Sequence, residues 1–328
     1  MTKDEGQMPH NIARRFAGMR KVVEVRPLGN GNINDTFLVT LDAPTEARFV
    51  LQRLNGQVFR QPQQVMRNIQ IATDRARSQL ERFPCDRRWE IPRLLRTDEG
   101  ANHYLDADGS FWRAMSFIED AESFEILDNG DRAREVGYGL GTFHHLIADL
   151  PPENLADTLE GFHIAPLYWQ HYETVLAKSS PRNIPEVEYC LKIARDRQPL
   201  VGVLEAAKNR GQLALRPIHG DPKINNVLFD VRTGRAVSLI DLDTVKPGLI
   251  HYDLGDCLRS GCNRAGEETE DWESVSFDLE LCREILEGYL DVARSFLTEN
   301  DRVYLYDAVR LLAFELGLRF FTDYLARN

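Results

Sequence analysis

The chain has 328 residues, which is longer than one hydrophobic core usually supports, so we expect two lobes. Its 43% of hydrophobic residues is typical of a globular protein, and its formal net charge of -11 argues against nucleic acid or an anionic membrane as partners. The first residues lack the apolar core of a signal peptide, and no run of about 18 apolar residues occurs, so we expect a cytoplasmic protein. The five scattered cysteines predict reduced thiols.

The first third of the chain is predicted to be rich in β-strands. Alternating apolar residues and turn signals predict a set of strands around one helix with an apolar stripe. We expect the strands at 22–25, 36–40, 48–54, 90–95, 103–105 and 111–118, and the helix at 62–82, with Val65, Ile69, Ala72 and Ala76 on its buried face.

Beyond an acidic stretch at 119–123 the hydrophobic period changes to that of helices, and we expect the hinge between the lobes there. A segment at 150–166 is predicted to be a surface connection. The predicted helices lie at 131–150, 167–177, 187–195, 200–210, 277–293 and 301–326.

One polar segment carries the chemistry of the chain. Residues 219–226 read His-Gly-Asp-Pro-Lys-Ile-Asn-Asn, and Asp241 ends a later strand, which is the order used to move a phosphoryl group from ATP to a hydroxyl. Asp221 is expected to accept the proton of the acceptor hydroxyl, and Lys223 to balance the charge on the phosphoryl group. Asn226 and Asp241 are expected to bind Mg²⁺. A polar turn is the alternative interpretation, but turn chemistry does not require this order.

A loop between the first two predicted strands is the candidate nucleotide lid. It reads Gly-Asn-Gly-Asn-Ile-Asn at 29–34, and its glycines let backbone amides approach phosphates. A plain β-turn explains the loop taken alone, but its place upstream of the catalytic segment favours an ATP-binding loop. The expected nucleotide contacts are Gly29, Asn30, Gly31, Asn32 and Asn34.

The strand at 48–54 lacks the lysine that grips ATP phosphates in eukaryotic-type kinases. Strand alternation points either Gln52 or Arg53 at the nucleotide, and the apolar pattern favours Gln52. The missing lysine also leaves open a nucleotide-binding pseudokinase with a regulatory role. No Asp-Phe-Gly or Ala-Pro-Glu activation segment follows the catalytic loop, which argues against protein substrates.

Four segments together resemble the aminoglycoside phosphotransferase-like superfamily. They are Gly-Asn-Gly-Asn-Ile-Asn-Asp-Thr-Phe-Leu-Val at 29–39, Phe-Val-Leu-Gln-Arg-Leu-Asn at 49–55, His-Gly-Asp-Pro-Lys-Ile-Asn-Asn-Val-Leu-Phe-Asp at 219–230 and Ile-Asp-Leu-Asp-Thr-Val-Lys-Pro-Gly at 240–248. Within that superfamily they look like the N-acetylhexosamine 1-kinases, which phosphorylate the anomeric hydroxyl of N-acetylglucosamine and N-acetylgalactosamine.

The resemblance implies an α+β, two-lobed, protein-kinase-like fold. Its N-lobe, 1–118, would hold the nucleotide-binding sheet and one helix, and its mainly helical C-lobe, 119–328, would hold the catalytic loop and the substrate-binding helices. By motif position Asp221 is the catalytic aspartate, and Asn226 and Asp241 are the metal ligands. Asp253 is expected to brace the catalytic loop. Asp243 either touches the metal indirectly or bonds the next turn, and we favour the structural role.

The last predicted helix offers substrate contacts. Glu315, Arg319 and Asp323 recur every four residues beside apolar neighbours, so this face lines a sugar pocket or forms a solvated ladder of ion pairs. Of His144 and His145, one is expected in the core and one on the surface.

The predicted function is Mg²⁺- and ATP-dependent phosphorylation of a sugar hydroxyl, with the anomeric hydroxyl of an N-acetylhexosamine as acceptor. An aminoglycoside or an amino alcohol of the choline or homoserine kind is the alternative acceptor. A cationic acceptor would require several carboxylates near Asp221, whereas a neutral sugar would require hydroxyl-bonding residues and an aromatic face. The sequence does not identify a protein partner.

Overall fold

The computed structural model describes residues 3–29, 33–267 and 269–327. In this part of the chain no helix combines the length and the apolar character needed to cross a membrane. The helices are α1 (Lys3–Phe16), α2 (Pro62–Arg82), α3 (Gly130–Ile147), α4 (Ala165–Lys178), α5 (Pro185–Arg197), α6 (Val203–Asn209), α7 (Ile250–Gly261), α8 (Leu279–Ala293), α9 (Glu299–Val303) and α10 (Leu305–Ala326). The strands are β1 (Lys21–Pro27), β2 (Asp35–Asp42), β3 (Arg48–Leu54), β4 (Tyr104–Leu105), β5 (Phe111–Ser116), β6 (Ala121–Glu122), β7 (Arg216–Ile218), β8 (Val227–Asp230), β9 (Ala236–Leu239) and β10 (Lys246–Gly248).

The N-terminal region is an antiparallel sheet with the strand order β1-β2-β3-β5-β4. The prediction of a strand at 90–95 is wrong. Pro92 has no backbone N–H to donate, and the segment forms a single bridge, between Leu94 and Met115, beside the part of β5 that β4 does not reach.

Helix α1 covers the outer face of this sheet, and the sequence analysis did not predict it. Ile12, Ala13 and Phe16 are buried in one cluster with the outward-facing residues of β3, Phe49 and Leu51. The helical spacing of these three residues was the available signal. These three apolar residues lie in a short segment among polar residues, so their spacing alone did not indicate a helix.

Helix α2 packs its predicted stripe inward, but against a core that is shared with the C-terminal region. Val65, Ile69, Ala72 and Ala76 are buried, and they belong to one hydrophobic cluster with residues of α3 such as Leu140. The α+β class is therefore confirmed, with a sheet followed by a helical region. The lobe boundary at 118 stays a prediction, because the main hydrophobic core crosses it.

The C-terminal region is built on a close crossing of α3 and α8. A Cβ atom on Gly137 would lie 1.8 Å from the carbonyl oxygen of Ile285, and one on Gly288 would lie 1.9 Å from that of Arg134, so only glycine permits this approach. Two small sheets, β6-β8-β9 and β7-β10, lie beside these helices and carry the loops of the site. Helix α7 was not predicted as an element.

The segment at 150–166 is not only a surface connection. The side chain of Asn68 on α2 donates to the carbonyl oxygens of Ala156 and Val245, at 2.8 Å each, and accepts from the N–H of Ala156 at 2.9 Å. The buried ammonium of Lys246 donates to Asp157 Oδ1 at 2.8 Å and to the carbonyl oxygen of Leu159 at 2.9 Å. The segment is thus fixed to α2 and to β10.

Candidate active site

The catalytic loop leaves β7 through a backbone conformation that only glycine fits. Gly220 has φ +91°, and a Cβ atom there would lie 2.5 Å from the carbonyl oxygen of Thr244. The brace predicted from Asp253 is present. Its Oδ1 accepts from the N–H of Gly220 at 2.8 Å, and its Oδ2 accepts from the N–H of His219 at 2.7 Å and from His144 Nε2 at 2.8 Å.

Asp253 is ionised in this fully buried position. Burial alone would raise its pKa, but the hydrogen bond and charge of His144, together with the backbone N–H donors, hold the pKa below its ordinary value. His144 is buried and His145 is exposed, as predicted.

His219 ties the Asp221 loop to the strand that leads to Asp241. Its Nε2 donates to the carbonyl oxygen of Ile240 at 2.9 Å, and its Nδ1 accepts from the N–H of Asp221 at 3.3 Å. Burial lowers the pKa of His219, which favours this neutral tautomer. Asn226 adds a second tie, because its Nδ2 donates to the carbonyl oxygen of Asp221 at 2.8 Å.

The side chains of Asp221 and Lys223 meet in the loop, with 3.3 Å between Oδ2 and Nζ. Burial raises the pKa of Asp221 to about 7, with a further rise from the carboxylate of Asp256 and partial compensation by Lys223. Burial works to lower the pKa of Lys223, but Asp221, Glu267 and Asp256 outweigh it, so the net pKa of Lys223 is raised. This pair supplies a carboxylate whose proton affinity suits a general base near neutral pH.

Asp241 has the left-handed backbone of φ 61° and ψ 57°, which is strained for a residue other than glycine. The Asp241 residue is exposed, and desolvation by the protein around its carboxyl, followed by the charge of Asp243, raises the pKa of this group to about 6. A cation beside Asp241 would offset both the desolvation and the repulsion from Asp243, and would favour the ionised carboxylate. With Asn226 Nδ2 bonded to Asp221, the amide oxygen of Asn226 is the atom that would complete such a site.

These donors fit Mg²⁺ in chemistry. Carboxylate and amide oxygens are hard ligands, and protein-bound Mg²⁺ usually takes only one or two carboxylates and fills its other positions with water and phosphate oxygens. In the described ranges no group of three or more His, Cys, Asp or Glu side chains could hold a metal ion alone. The two predicted ligands would therefore depend on substrate phosphates for the remaining positions.

The predicted nucleotide loop is described only at its ends. Asn30, Gly31 and Asn32 lie outside the described residues. Gly29 has a φ of +70°, a conformation that glycine adopts readily. Asn34 turns inward, where its Nδ2 donates to Asp243 Oδ2 at 2.7 Å and its Oδ1 accepts from the N–H of Asn55 at 2.9 Å.

Gln52 and Arg53 point to opposite faces of the sheet. Gln52 Oε1 accepts from Arg113 Nε at 3.0 Å and from Arg113 Nη2 at 2.7 Å, and Arg113 is also ion-paired with Asp243. Arg53 instead donates to Asp35 Oδ2 at 2.7 Å on the α1 side, where its guanidinium lies 5.8 Å from the ring centre of Trp112. Gln52 is thus the one that faces the Asp241–Asp243 segment.

Arg113 is a residue that the sequence analysis missed. It is 1% exposed, and its charge acts on Asp241 by opposing the rise in the pKa of that carboxyl. The available signal was an arginine between apolar residues of the strand Phe-Trp-Arg-Ala-Met-Ser. Its pairing also gives Asp243 a role in joining the sheet to the loop after β9, which neither interpretation of Asp243 anticipated.

The two predicted substrate residues on α10 lie in different surroundings. Glu315 is 2% exposed, and its Oε1 accepts from His163 Nδ1 at 3.0 Å. Arg319 is half-buried, with its guanidinium 5.8 Å from the ring centre of Phe162 and 5.3 Å from that of Tyr168. Among the described residues these two charges form no ion pair with each other, and the burial of Glu315 excludes a solvated ladder.

Helix α7 brings a further carboxylate to the catalytic loop. Asp256 is 5% exposed and pairs with Arg259 at 2.7 Å, and Arg259 also pairs with Glu267 at 2.6 Å. Asp256 raises the pKa of both Asp221 and Lys223, so it lies within electrostatic reach of the reacting groups. The signal in the sequence was Asp253-Leu-Gly-Asp256, which places both carboxylates on one helical face.

A model of the phosphotransferase enzyme family matches residues 24–284. The chain belongs to this family. The superfamily in the resemblance is thereby confirmed, and the match covers the sheet, the catalytic loop and α7.

Solved structures of several small-molecule kinases share the fold of this phosphotransferase. A microcompartment-associated aminopropanol kinase matches at TM-score 0.60 and 17% identity, over 98% of this chain and 94% of the other. A choline kinase from Cryptosporidium parvum matches at TM-score 0.61 and 15% identity, over 97% of this chain and 90% of the other. A spectinomycin phosphotransferase in complex with ADP and spectinomycin matches at TM-score 0.52 and 13% identity, over 98% of this chain and 93% of the other. At these identities the likeness concerns the fold and leaves the acceptor open.

Proposed function

We propose that this phosphotransferase is a kinase that uses ATP and Mg²⁺ to phosphorylate a sugar hydroxyl, namely the anomeric hydroxyl of an N-acetylhexosamine. The observation that carries the kinase proposal is Asp221, which the loop holds beside Lys223 with its pKa raised to about 7. The spectinomycin phosphotransferase with bound ADP supports a nucleotide as the phosphoryl donor.

The chemistry follows from the groups of the loop. The acceptor hydroxyl gives its proton to Asp221 as its oxygen forms a bond to the γ-phosphorus, and the bond from that phosphorus to the ADP oxygen breaks. Lys223 offsets the negative charge on the transferring group. Asn226 and Asp241 would hold Mg²⁺, which when bound neutralises the phosphate oxygens. Gln52 and Asn34, with the loop at 29–34, would face the nucleotide.

Charge pairing near Asp221 supports a neutral acceptor. Glu267 and Asp256 share Arg259, and Glu315 is paired with His163, so these three carboxylates are already compensated. A cationic acceptor would have to compete with those partners. Arg319 and the rings of Phe162 and Tyr168 provide a hydrogen-bond donor and flat apolar surface, the features that sugars bind.

An amino alcohol or aminoglycoside is the second candidate, and one observation favours it. Asp256 Oδ2 is buried and has no hydrogen-bond partner among the described residues, so it is an acceptor that an ammonium group could use. The aminopropanol and choline kinases among the structural neighbours agree with this second candidate.

An acceptor screen separates these proposals. ADP release is measured with N-acetylglucosamine, its methyl glycoside, ethanolamine, choline and an aminoglycoside, each with Mg²⁺ and with a chelator. We expect Mg²⁺-dependent turnover with the free sugar and none with the methyl glycoside, which lacks the anomeric hydroxyl. Turnover of the glycoside would overturn the anomeric assignment, and turnover of amines alone would overturn the sugar.

Two variants sharpen the screen. Asp256→Asn should raise the KM of a cationic acceptor strongly and leave that of a neutral sugar within about twofold. Asp241→Ala should weaken the Mg²⁺ dependence as well as the rate, whereas unchanged dependence would move that role to Asp243. Nucleotide binding without ADP release for any acceptor would favour the pseudokinase.

A further inference from the structure

His163 stands in a constrained position outside the predicted catalytic motif. It belongs to the connection between α3 and α4, it is 5% exposed, and its backbone has φ 65°, in the left-handed region that residues other than glycine rarely adopt. Such strain persists where the surrounding contacts fix the residue. Its ring stacks against Tyr252 of α7, with 5.7 Å between the ring centres.

Both ring nitrogens of His163 face acceptors. Nε2 lies 2.9 Å from the carbonyl oxygen of Gly220, and Nδ1 lies 3.0 Å from Glu315 Oε1. A neutral imidazole has one N–H and satisfies only one of these acceptors, whereas an imidazolium satisfies both. Burial works to lower the pKa of His163, but the hydrogen bond and charge of Glu315 outweigh it, and the net pKa is raised. The two acceptors on opposite sides of the ring thus fit an imidazolium.

The carbonyl of Gly220 and the N–H of Asp221 belong to the same peptide group. His163 holds the oxygen of this peptide, and His219 Nδ1 accepts from its N–H at 3.3 Å. Asp253 meanwhile fixes the preceding N–H, that of Gly220. The plane of this peptide fixes the N–Cα bond of Asp221, from which the side chain extends, so a rotation of the peptide would displace the carboxylate.

We propose that His163, held by Glu315 of α10, is a positioning residue that orients the Asp221 carboxylate through the carbonyl group of Gly220. This inference rests on the proposed role of Asp221 as the base. It gives Glu315 a place in the reaction different from the predicted substrate contact, because the hydrogen bond of its carboxylate goes to His163, which in turn bonds the catalytic loop. Glu315 then takes part in the reaction without its side chain touching the acceptor.

A matched pair of amides at position 163 tests the hydrogen bond. Asparagine tolerates the left-handed backbone but is too short to reach Gly220, whereas glutamine is one methylene longer and can donate to the same oxygen. His163→Asn should lower kcat by about 10- to 100-fold with the KM for ATP nearly unchanged, and His163→Gln should recover part of the loss. His171→Asn, at an exposed histidine on α4, is the control.

Three outcomes would overturn the inference: an unchanged kcat in folded His163→Asn, a loss confined to the KM for ATP, or equal losses in both amides. The last would mean that the ring volume matters and the bond does not. Folding is checked by thermal unfolding of each variant.

Nuclear magnetic resonance supplies a test that does not depend on turnover. At neutral pH the two ring nitrogens of His163 should show imidazolium shifts in the wild type and neutral shifts in Glu315→Gln, and the carbonyl resonance of Gly220 should move in His163→Asn. If the wild type turns over no acceptor but these shifts appear, the proposed function fails and the positioning contact stands. If His163 is neutral and the Gly220 resonance does not move, the inference fails by itself.

Discussion

Replacing Gln52 and Arg53 separately by alanine tests which face of β3 serves the nucleotide. Gln52→Ala removes the acceptor of two hydrogen bonds from Arg113, whose guanidinium is 1% exposed. A hydrogen bond to a charged group contributes about 1.5–3 kcal/mol, and the two bonds share one oxygen, so we expect a loss of about 2–4 kcal/mol in the free energy of unfolding. Arg53 is 43% exposed in its pair with Asp35, so Arg53→Ala should cost at most about 1 kcal/mol.

The assays are urea unfolding and the KM for ATP at saturating acceptor. We expect the KM for ATP to rise in Gln52→Ala and to stay unchanged in Arg53→Ala. Gln52→Glu is the control, because it keeps an acceptor for Arg113 and should retain most of the stability. A larger stability loss in Arg53→Ala, or ATP affinity that falls only in that variant, would refute the reasoning.

Three further predictions concern the catalytic base, the connection to α2 and the β8–β9 turn. Asp221→Asn should nearly abolish kcat and leave ATP affinity unchanged, as measured by single-turnover kinetics and nucleotide titration, and a near-normal kcat would remove Asp221 from its role. Asn68→Ala should lower the free energy of unfolding by about 3 kcal/mol, because three hydrogen bonds to backbone groups of the connection and of Val245 are lost, and a loss under about 1 kcal/mol would contradict that role. The pKa of Asp230 is lowered to about 2, first by its bond from Arg88 and then by the donors of Thr233. Since the folded pKa is below the ordinary value of about 3.9, this stabilisation is present above about pH 4 and lost as the pH falls through about 2. The difference in Tm between the wild type and Asp230→Asn should shrink over that range, and a pH-independent difference would refute the charge assignment.

Local patterns predicted the elements that neighbouring residues determine. The strands β1, β2, β3 and β5 and the buried stripe of α2 follow from the period of their apolar residues, and the catalytic segment follows from its internal spacing. Helix α1 was missed because its signal is only three apolar residues, and the strand at 90–95 was predicted because Pro92 was given too little weight.

Contacts between distant residues were not predictable in this way. Arg113 reaches Gln52 across 61 residues because β5 pairs with β3, a strand order that no local pattern gives. His163 lies 57 residues from Gly220 and 152 from Glu315, in a segment whose prolines and polar residues resemble an ordinary loop. Such residues acquire their roles from the packing of α4, α7 and α10, which the hydrophobic period leaves open.

The position of α2 has a consequence for how the protein is assembled. Its apolar stripe is covered by α3, and its Asn68 bonds backbone groups from beyond residue 150. A fragment that ends at residue 118 would present this stripe to water, with Val65 and Ile69 uncovered. The N-terminal part should therefore complete its folding only after the helical part has been synthesised, and the intact chain should lose both parts together in one cooperative unfolding transition.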